Sequence, residues 1–126
     1  MKPSEIIKQE AQKIGYNADE MLGKISKLVN SKAGILLQKN DSLLLLIGIG
    51  KGVAEVHIFT MDSPAKIADS LKYFIEKVKS SEIKKVYGSE NADQAARLKQ
   101  TLELLKKLGV AVQKSNLPRY SWMASI

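Results

Sequence analysis

Residues 53–60 read V-A-E-V-H-I-F-T, a run rich in β-branched and aromatic residues that predicts a strand. Alternate side chains of a strand share a face, so Glu55, His57 and Phe59 point one way and Ala54, Val56, Ile58 and Thr60 the other. A carboxylate beside an imidazole can act as a general base near neutral pH. The same pair on a partly exposed sheet is also ordinary surface chemistry, and the sequence leaves both readings open. His57 is the only histidine and there is no cysteine. Thiol nucleophiles, disulfides and cysteine zinc sites are therefore excluded, any transition-metal site would rest mainly on carboxylates, and none is expected.

Three other stretches carry types and spacings that bear on chemistry. Asp62-Ser63-Pro64-Ala65-Lys66 is a helix start, with an acceptor side chain at the cap and proline near the first turn. Unpaired amides and the dipole at such a terminus attract phosphate; Lys66 adds to that attraction, Asp62 opposes it, and a plain cap explains the same residues. Gly48-Ile49-Gly50-Lys51-Gly52 invites a phosphate-loop reading but has no suitable upstream glycine and no hydroxyl after the lysine. A strand follows it rather than a helix, so it reads as a hairpin turn. Tyr120 and Trp122 alternate on the last predicted strand, where they would line a pocket or fill the core.

The elements that must position these residues follow from periodicity and punctuation. Pro3 and Ser4 open a first helix carrying Ile7, Ala11 and Ile14 and stopped by Gly15. Asn17, three residues before Glu20, opens a second with Leu22, Ile25, Leu28 and Val29 on one stripe. Ile35–Leu37, Leu43–Ile49 and Val53–Thr60 form a three-stranded meander. A helix over 64–79 places Ile67, Leu71, Phe74, Ile75 and Val78 at the 3.6 period. Ile83–Tyr87 is a strand. A helix over 91–108 turns Ala95, Leu98, Leu102 and Leu105 inward until Gly109, and strands at 110–114 and 119–125 complete the chain. The expected fold is a single α/β domain, residues 1–126, in the order α-α-β-β-β-α-β-α-β-β, with a mixed central sheet of about six strands and helices on both faces.

The 126 residues hold 20 Lys+Arg against 13 Asp+Glu, a net charge of +7. The excess lies in the second half: residues 1–63 carry 8 basic and 7 acidic side chains, residues 64–126 carry 12 and 6. Such a field attracts nucleic acid and other polyanions. Lysine, which makes up all but Arg97 and Arg119 of the basic set, is a hydrated point charge poorly suited to bidentate recognition, so a solvated face is the simpler explanation. Binding to nucleic acid is expected to be weak and independent of sequence. It would need Lys72, Lys77, Lys79, Lys84, Lys85, Lys99, Lys106 and Lys107 to converge on one face, whereas the two helices are expected on opposite sides of the sheet. The longest apolar run, Leu43–Ile47, is too short to cross a bilayer and the N-terminus does not read as a signal peptide. A cytoplasmic location without membrane contact is expected.

Taken together, V-A-E-V-H-I-F-T running into a turn and helix, the following K-K-V-Y-G, Asn91 at the opening of the last helix, and the ending K-K-L-G-V-A-V resemble the second half of the GNAT superfamily of acetyl-CoA-dependent N-acetyltransferases. The two helices ahead of the meander fit that family's order, so the resemblance covers most of the chain. It implies a GNAT-like fold, acetyl-CoA as acyl donor and an amine as acceptor, with Glu55 or His57 as the base and sheet-edge amides stabilising the oxyanion. It further implies a cofactor site at Ile58, Thr60, Met61, Ser63, Lys66 and Asn91. The chain departs from the family's pattern in three ways. The turn M-D-S-P-A-K-I-A lacks the glycines of the pyrophosphate signature Q/R-x-x-G-x-G/A, Leu105 stands where a thiolate-protonating tyrosine is usual, and the first strand is absent. Similar shortened members occur among bacteriophage proteins, virion components included, so the alternative expectation is a non-catalytic structural or protein-binding role.

Overall fold

The structure, a computed structural model, describes residues 1–89 and 95–126. Helices α1 (Pro3–Lys13) and α2 (Ala18–Asn30) form where apolar residues recur at helical spacing. Asn17 caps α2, its Oδ1 accepting from the Glu20 N–H at 3.0 Å. Gly15, at φ +75°, reverses the chain between the two helices in the left-handed region open to glycine.

The remaining elements are β1 (Gly34–Lys39), β2 (Ser42–Gly50), β3 (Val53–Thr60), α3 (Pro64–Lys79), β4 (Lys85–Gly88), α4 (Ala95–Lys107), β5 (Ala111–Lys114) and β6 (Trp122–Ser125). They build a six-stranded sheet in the order β1-β2-β3-β4-β6-β5. All neighbours are antiparallel except β3 and β4, which run parallel and pair from Val53–Lys85 to Glu55–Tyr87. The turn at Asn40 is tight enough to put that residue at φ +52°.

Alternation along the strands divides the core. Leu43, Leu45 and Phe59 face Ile6 and Ile7 of α1 and Ile25 of α2, whereas Leu44, Leu46, Ala54, Val56, Val86 and Trp122 face α3 and α4. The helices 64–79 and 91–108 were expected on opposite sides of the sheet, but Leu71 and Phe74 of α3 share one cluster with Leu105 of α4. The strand order gives the reason. Successive crossovers β3-α3-β4 and β4-α4-β5 advance in the same direction along the sheet, and right-handed crossovers of that kind place their helices on the same side. The lysines of α3 and α4 therefore stand on one side of the protein.

The last strand starts at Trp122 rather than Arg119. A turn closed by Tyr120 N–H on Leu117 O, followed by Ser121 N–H on Gly88 O, breaks the expected alternation of Tyr120 and Trp122. Tyr120 joins Tyr87 and Met123 on one face, while Trp122 enters the α3/α4 core on the other. Asn91 lies outside the described residues. Among the described residues no helix is long and apolar enough to cross a membrane.

Candidate active site

Strands β3 and β4 part company near the middle of β3. Their pairing ends at Glu55–Tyr87, and β3 continues to Thr60. The Met61 N–H is bonded back toward β2, on Asp41 O at 2.9 Å. Because backbone groups alternate sides along a strand, the N–H and C=O of Ile58 and Thr60 point the other way, into the gap. The Thr60 N–H is met there by Glu10 Oε1 of α1 at 3.1 Å, a carboxylate only 2% exposed.

On the α1 side of the sheet, Glu55 and His57 are brought together as their spacing predicts: Glu55 Oε2 lies 2.6 Å from His57 Nε2. The other oxygen, Oε1, accepts from the Tyr120 hydroxyl at 2.7 Å, with the exposed Arg119 guanidinium 4.0 Å away. Tyr120 packs against Tyr87 at 5.4 Å between ring centroids, and the Tyr87 hydroxyl donates to Asn116 Oδ1 at 2.9 Å. Burial alone would raise the Glu55 carboxyl, but hydrogen bonds from His57 and Tyr120 and the neighbouring positive groups outweigh it and hold it below its ordinary range. Burial and the adjacent carboxylate push the Tyr120 hydroxyl up. Glu55 is thus an anion at neutral pH that receives two protons in hydrogen bonds. His57 donates from Nε2, while Nδ1 makes no hydrogen bond among the described residues and is left to accept a proton.

Of the described cofactor residues expected from the resemblance, Ile58 faces the opposite side of the sheet, Met61 packs against the α1/α2 cluster, and Thr60, Ser63 and Lys66 follow around the end of β3 and the start of α3. A groove of about 550 Å³ opens there between the end of β3, the start of α3 and the face of α4. Thr60, Met61, Asp62, Pro64, Thr101 and Lys107 are among its walls. Ile58 turns its side chain into the α3/α4 core and offers only its backbone to the gap. Ser63 and Lys66 are exposed and do not line the groove. Pro64 removes one donor from the first turn of α3, and the Lys66 and Ile67 amides are both spent on Ser63 O.

Asp62 does not cap α3. Its carboxylate accepts from Ser42 Oγ at 2.5 Å, Ser70 Oγ at 2.7 Å and the Asp41 N–H at 2.9 Å. Thr60 Oγ1 sits 2.5 Å from Ser42 Oγ and accepts from the Asp62 N–H at 3.0 Å. Burial would raise the Asp62 carboxyl; hydrogen bonds from Ser42, Ser70 and the Asp41 amide, with Lys66 nearby, pull it below its ordinary range. An acyl-CoA is therefore matched unevenly. The open edge at Ile58 suits an amide-bearing thioester arm, whereas the start of α3 presents a proline and a carboxylate where a diphosphate would need free amides. Lys13 and Lys107 are the cations lining the groove among the described residues.

Arg119 and Glu10 escape a reading of the sequence as members of the site, and Tyr120, read there as lining a pocket or filling the core, is not linked by it to Glu55. Tyr120 is 65 residues from Glu55 and Glu10 is 50 from Thr60, and no local periodicity links them. Leu105 is buried in the α3/α4 core at 7% exposure, so the hydroxyl nearest the candidate base comes from the approach to β6 instead.

No protein-family model matches the chain, and no curated protein matches it. Among solved structures, a chimera of spermidine N-acetyltransferase SpeG from Vibrio cholerae and hSSAT aligns with 86% of this chain and 74% of its own, at 16% identity and a TM-score of 0.56. A SpeG point variant from Vibrio cholerae aligns over 86% and 73%, at 14% identity and a TM-score of 0.51. A Bacillus subtilis acetyltransferase in complex with CoA aligns over 85% and 82%, at 14% identity and a TM-score of 0.50. At such identities the likeness is one of architecture, and it agrees with the parted parallel strands and the strand order: the chain has the fold of the GNAT N-acetyltransferases.

Proposed function

We propose that the protein transfers an acetyl group from acetyl-CoA to an amine, the acyl donor entering from the α3/α4 side of the gap and the amine from the side of Glu55 and His57. The observation that carries this reading is the Glu55–His57–Tyr120 centre standing beside the place where β3 and β4 separate. Glu55 holds the imidazole with Nε2–H toward itself and stabilises the imidazolium, and Tyr120 holds Glu55 in turn. His57 Nδ1 accepts the proton that the amine must lose. A bound thioester supplies the electrophilic carbonyl: the nitrogen–carbon bond forms, the carbon–sulfur bond breaks, and the proton held at His57 is returned to the leaving sulfur. The Ile58 N–H, directed into the gap, is placed to donate to the oxygen on which negative charge develops. The likeness in fold to forms of spermidine N-acetyltransferase SpeG makes polyamines the first acceptors to test. The net charge of +7 works against a polycation and in favour of an amine carried by an acidic or neutral molecule.

Isothermal titration with acetyl-CoA, paired with a thiol-release assay over a panel of amines, tests this reading. Binding and amine-dependent thiol release are expected; no heat at millimolar ligand and no release would overturn it.

A second reading, a non-catalytic binding protein on the same fold, is favoured by Glu10. Its carboxylate already occupies the Thr60 N–H on the strand edge, and the residues around Asp62 and Pro64 lack a diphosphate cradle. Under this reading the double variant Glu55→Ala, His57→Ala folds and keeps its biological role, whereas a sharp loss returns the argument to catalysis.

A further inference from the structure

Among the described residues the only buried side-chain nitrogen or oxygen without a hydrogen-bond partner is Trp122 Nε1. The residue is 7% exposed, so bulk water does not serve its donor. Buried indole N–H groups ordinarily find acceptors, and an orphan calls for a specific explanation. Its position supplies one. Trp122 pairs with Gly88, the last residue of β4, and the indole lies across that glycine. A Cβ at Gly88 would stand 2.4 Å from Nε1 and 2.3 Å from Cε2 and Cζ2. The donor is therefore held against the end of β4, one residue beyond the last β3–β4 pair, where the two strands part. On the same side of the sheet lies a cavity of about 40 Å³ whose walls include Val56, Ile58, Leu105 and Trp122. Its exposed lining is apolar, so even counting the indole N–H a water there would find one partner, fewer than the two to four that hold one.

A lone hydrogen-bond donor beside a small dry cavity, at the mouth of a strand gap, is complementary to a short acyl group: an oxygen for the donor and an alkyl end for the cavity. We propose that Trp122 Nε1–H donates to the carbonyl oxygen of a short, uncharged acyl thioester held between β3 and β4, with the alkyl end in the cavity behind Ile58. The proposal rests on the acetyl-transfer reading and adds to it a binding residue and a limit on the acyl group. Acyl groups ending in a carboxylate are excluded, because the cavity offers an anion no partner.

The test is isothermal titration of the full chain with acetyl-CoA and, separately, with CoA, which has no acyl carbonyl. Three proteins are compared: the unaltered chain, Trp122→Phe, and a chain carrying benzothienylalanine at 122, which keeps the ring shape and replaces the N–H by sulfur. Both altered chains are expected to lose about tenfold in acetyl-CoA affinity, the scale of one hydrogen bond, with CoA affinity unchanged. Because Trp122 is the sole tryptophan, acetyl-CoA should also change the intrinsic fluorescence of the unaltered chain. Equal losses for CoA and acetyl-CoA would assign the effect to ring packing and overturn the proposal. Unchanged acetyl-CoA affinity in the benzothienylalanine chain would overturn it too and leave the acetyl-transfer reading standing. If the unaltered chain binds neither ligand, both fall together. Should Trp122→Phe fail to fold, the isosteric chain still decides the matter.

Discussion

Glu55 and Asp62 sit seven positions apart, one inside β3 and one just past its end, and each is a carboxyl held below its ordinary range by side-chain hydrogen bonds. Their partners differ in kind. Asp62 is held by the hydroxyls of Ser42 and Ser70, both fully buried, and by a backbone amide. No member of that set changes charge near neutral pH, so the set fixes the β3–α3 turn and offers no group that could carry a proton. Glu55 is held by an imidazole that is 43% exposed and by a tyrosine hydroxyl. One of its partners can take up a proton from solution or substrate while the carboxylate compensates the new charge. Two similarly depressed carboxyls thus serve opposite ends, and the test of function is what each is bonded to.

That contrast can be broken most sharply at His57. His57→Ala is expected to lower kcat/KM for amine acetylation by roughly 10²–10⁴-fold, the range for a general base. Stability to urea should stay within about 0.5 kcal/mol, as for other surface changes. Retained activity with the imidazole gone would remove the distinction between the two carboxyls. Next in size, Asp62→Ala removes the carboxylate that Ser42 Oγ, Ser70 Oγ and the Asp41 N–H share, leaving Ser42 with Thr60 and Ser70 with the Lys39 and Lys66 carbonyls, and should cost about 2 kcal/mol in urea unfolding, whereas Glu55→Ala should cost less than half as much. Equal losses would make Glu55 as structural as Asp62.

A pH series sharpens the comparison further. Both carboxyls ionise more readily in the folded chain, so the unfolded chain binds more protons at acid pH. The stability they contribute is present above the ordinary carboxyl range of about 3.9–4.3 and is lost as pH falls below it. Urea midpoints between about pH 2 and 6 should decline on the acid side, and Asp62→Asn should flatten part of that decline without altering the activity profile near neutrality. Smallest of all, Tyr120→Phe removes one of the two side-chain donors on Glu55. The Glu55 carboxyl should move upward when followed by NMR, with a stability loss of about 0.5–1.5 kcal/mol. A carboxyl that did not move would show that Tyr120 packs beside Glu55 without holding it.

The bounds 53–60 and 64–79 are legible in the sequence because a period of two gives way to a period of 3.6 across Asp62-Ser63-Pro64, and the structure places β3 and α3 there. The Glu55–His57 contact is legible for the same reason, since alternation alone puts the two on one face. The shared side of α3 and α4 is not. Each helix announces an apolar stripe, but which side of the sheet receives it depends on the strand order β4-β6-β5, a long-range property that no window of residues contains. Tyr120 is hidden differently: extending the last strand back to Arg119 assigns it to the same face as Trp122, and the bend at Ser121 reverses that. The role of Asp62 is misread from its position before Pro64, where a cap is the usual use; Ser42 and Ser70, far away in sequence, claim its oxygens.

The indole laid across Gly88 has a consequence for how this sequence can change over generations. With Trp122 in place, even the single carbon of alanine at 88 would collide with the ring at 2.3 Å, and with a side chain at 88 the ring would have to leave its place in the core. Neither position can drift alone. Positions 88 and 122 are thereby expected to behave as one inherited character, glycine with a large flat ring or a bulkier residue with a small one, and a library randomising both should return survivors in which the two choices are anticorrelated.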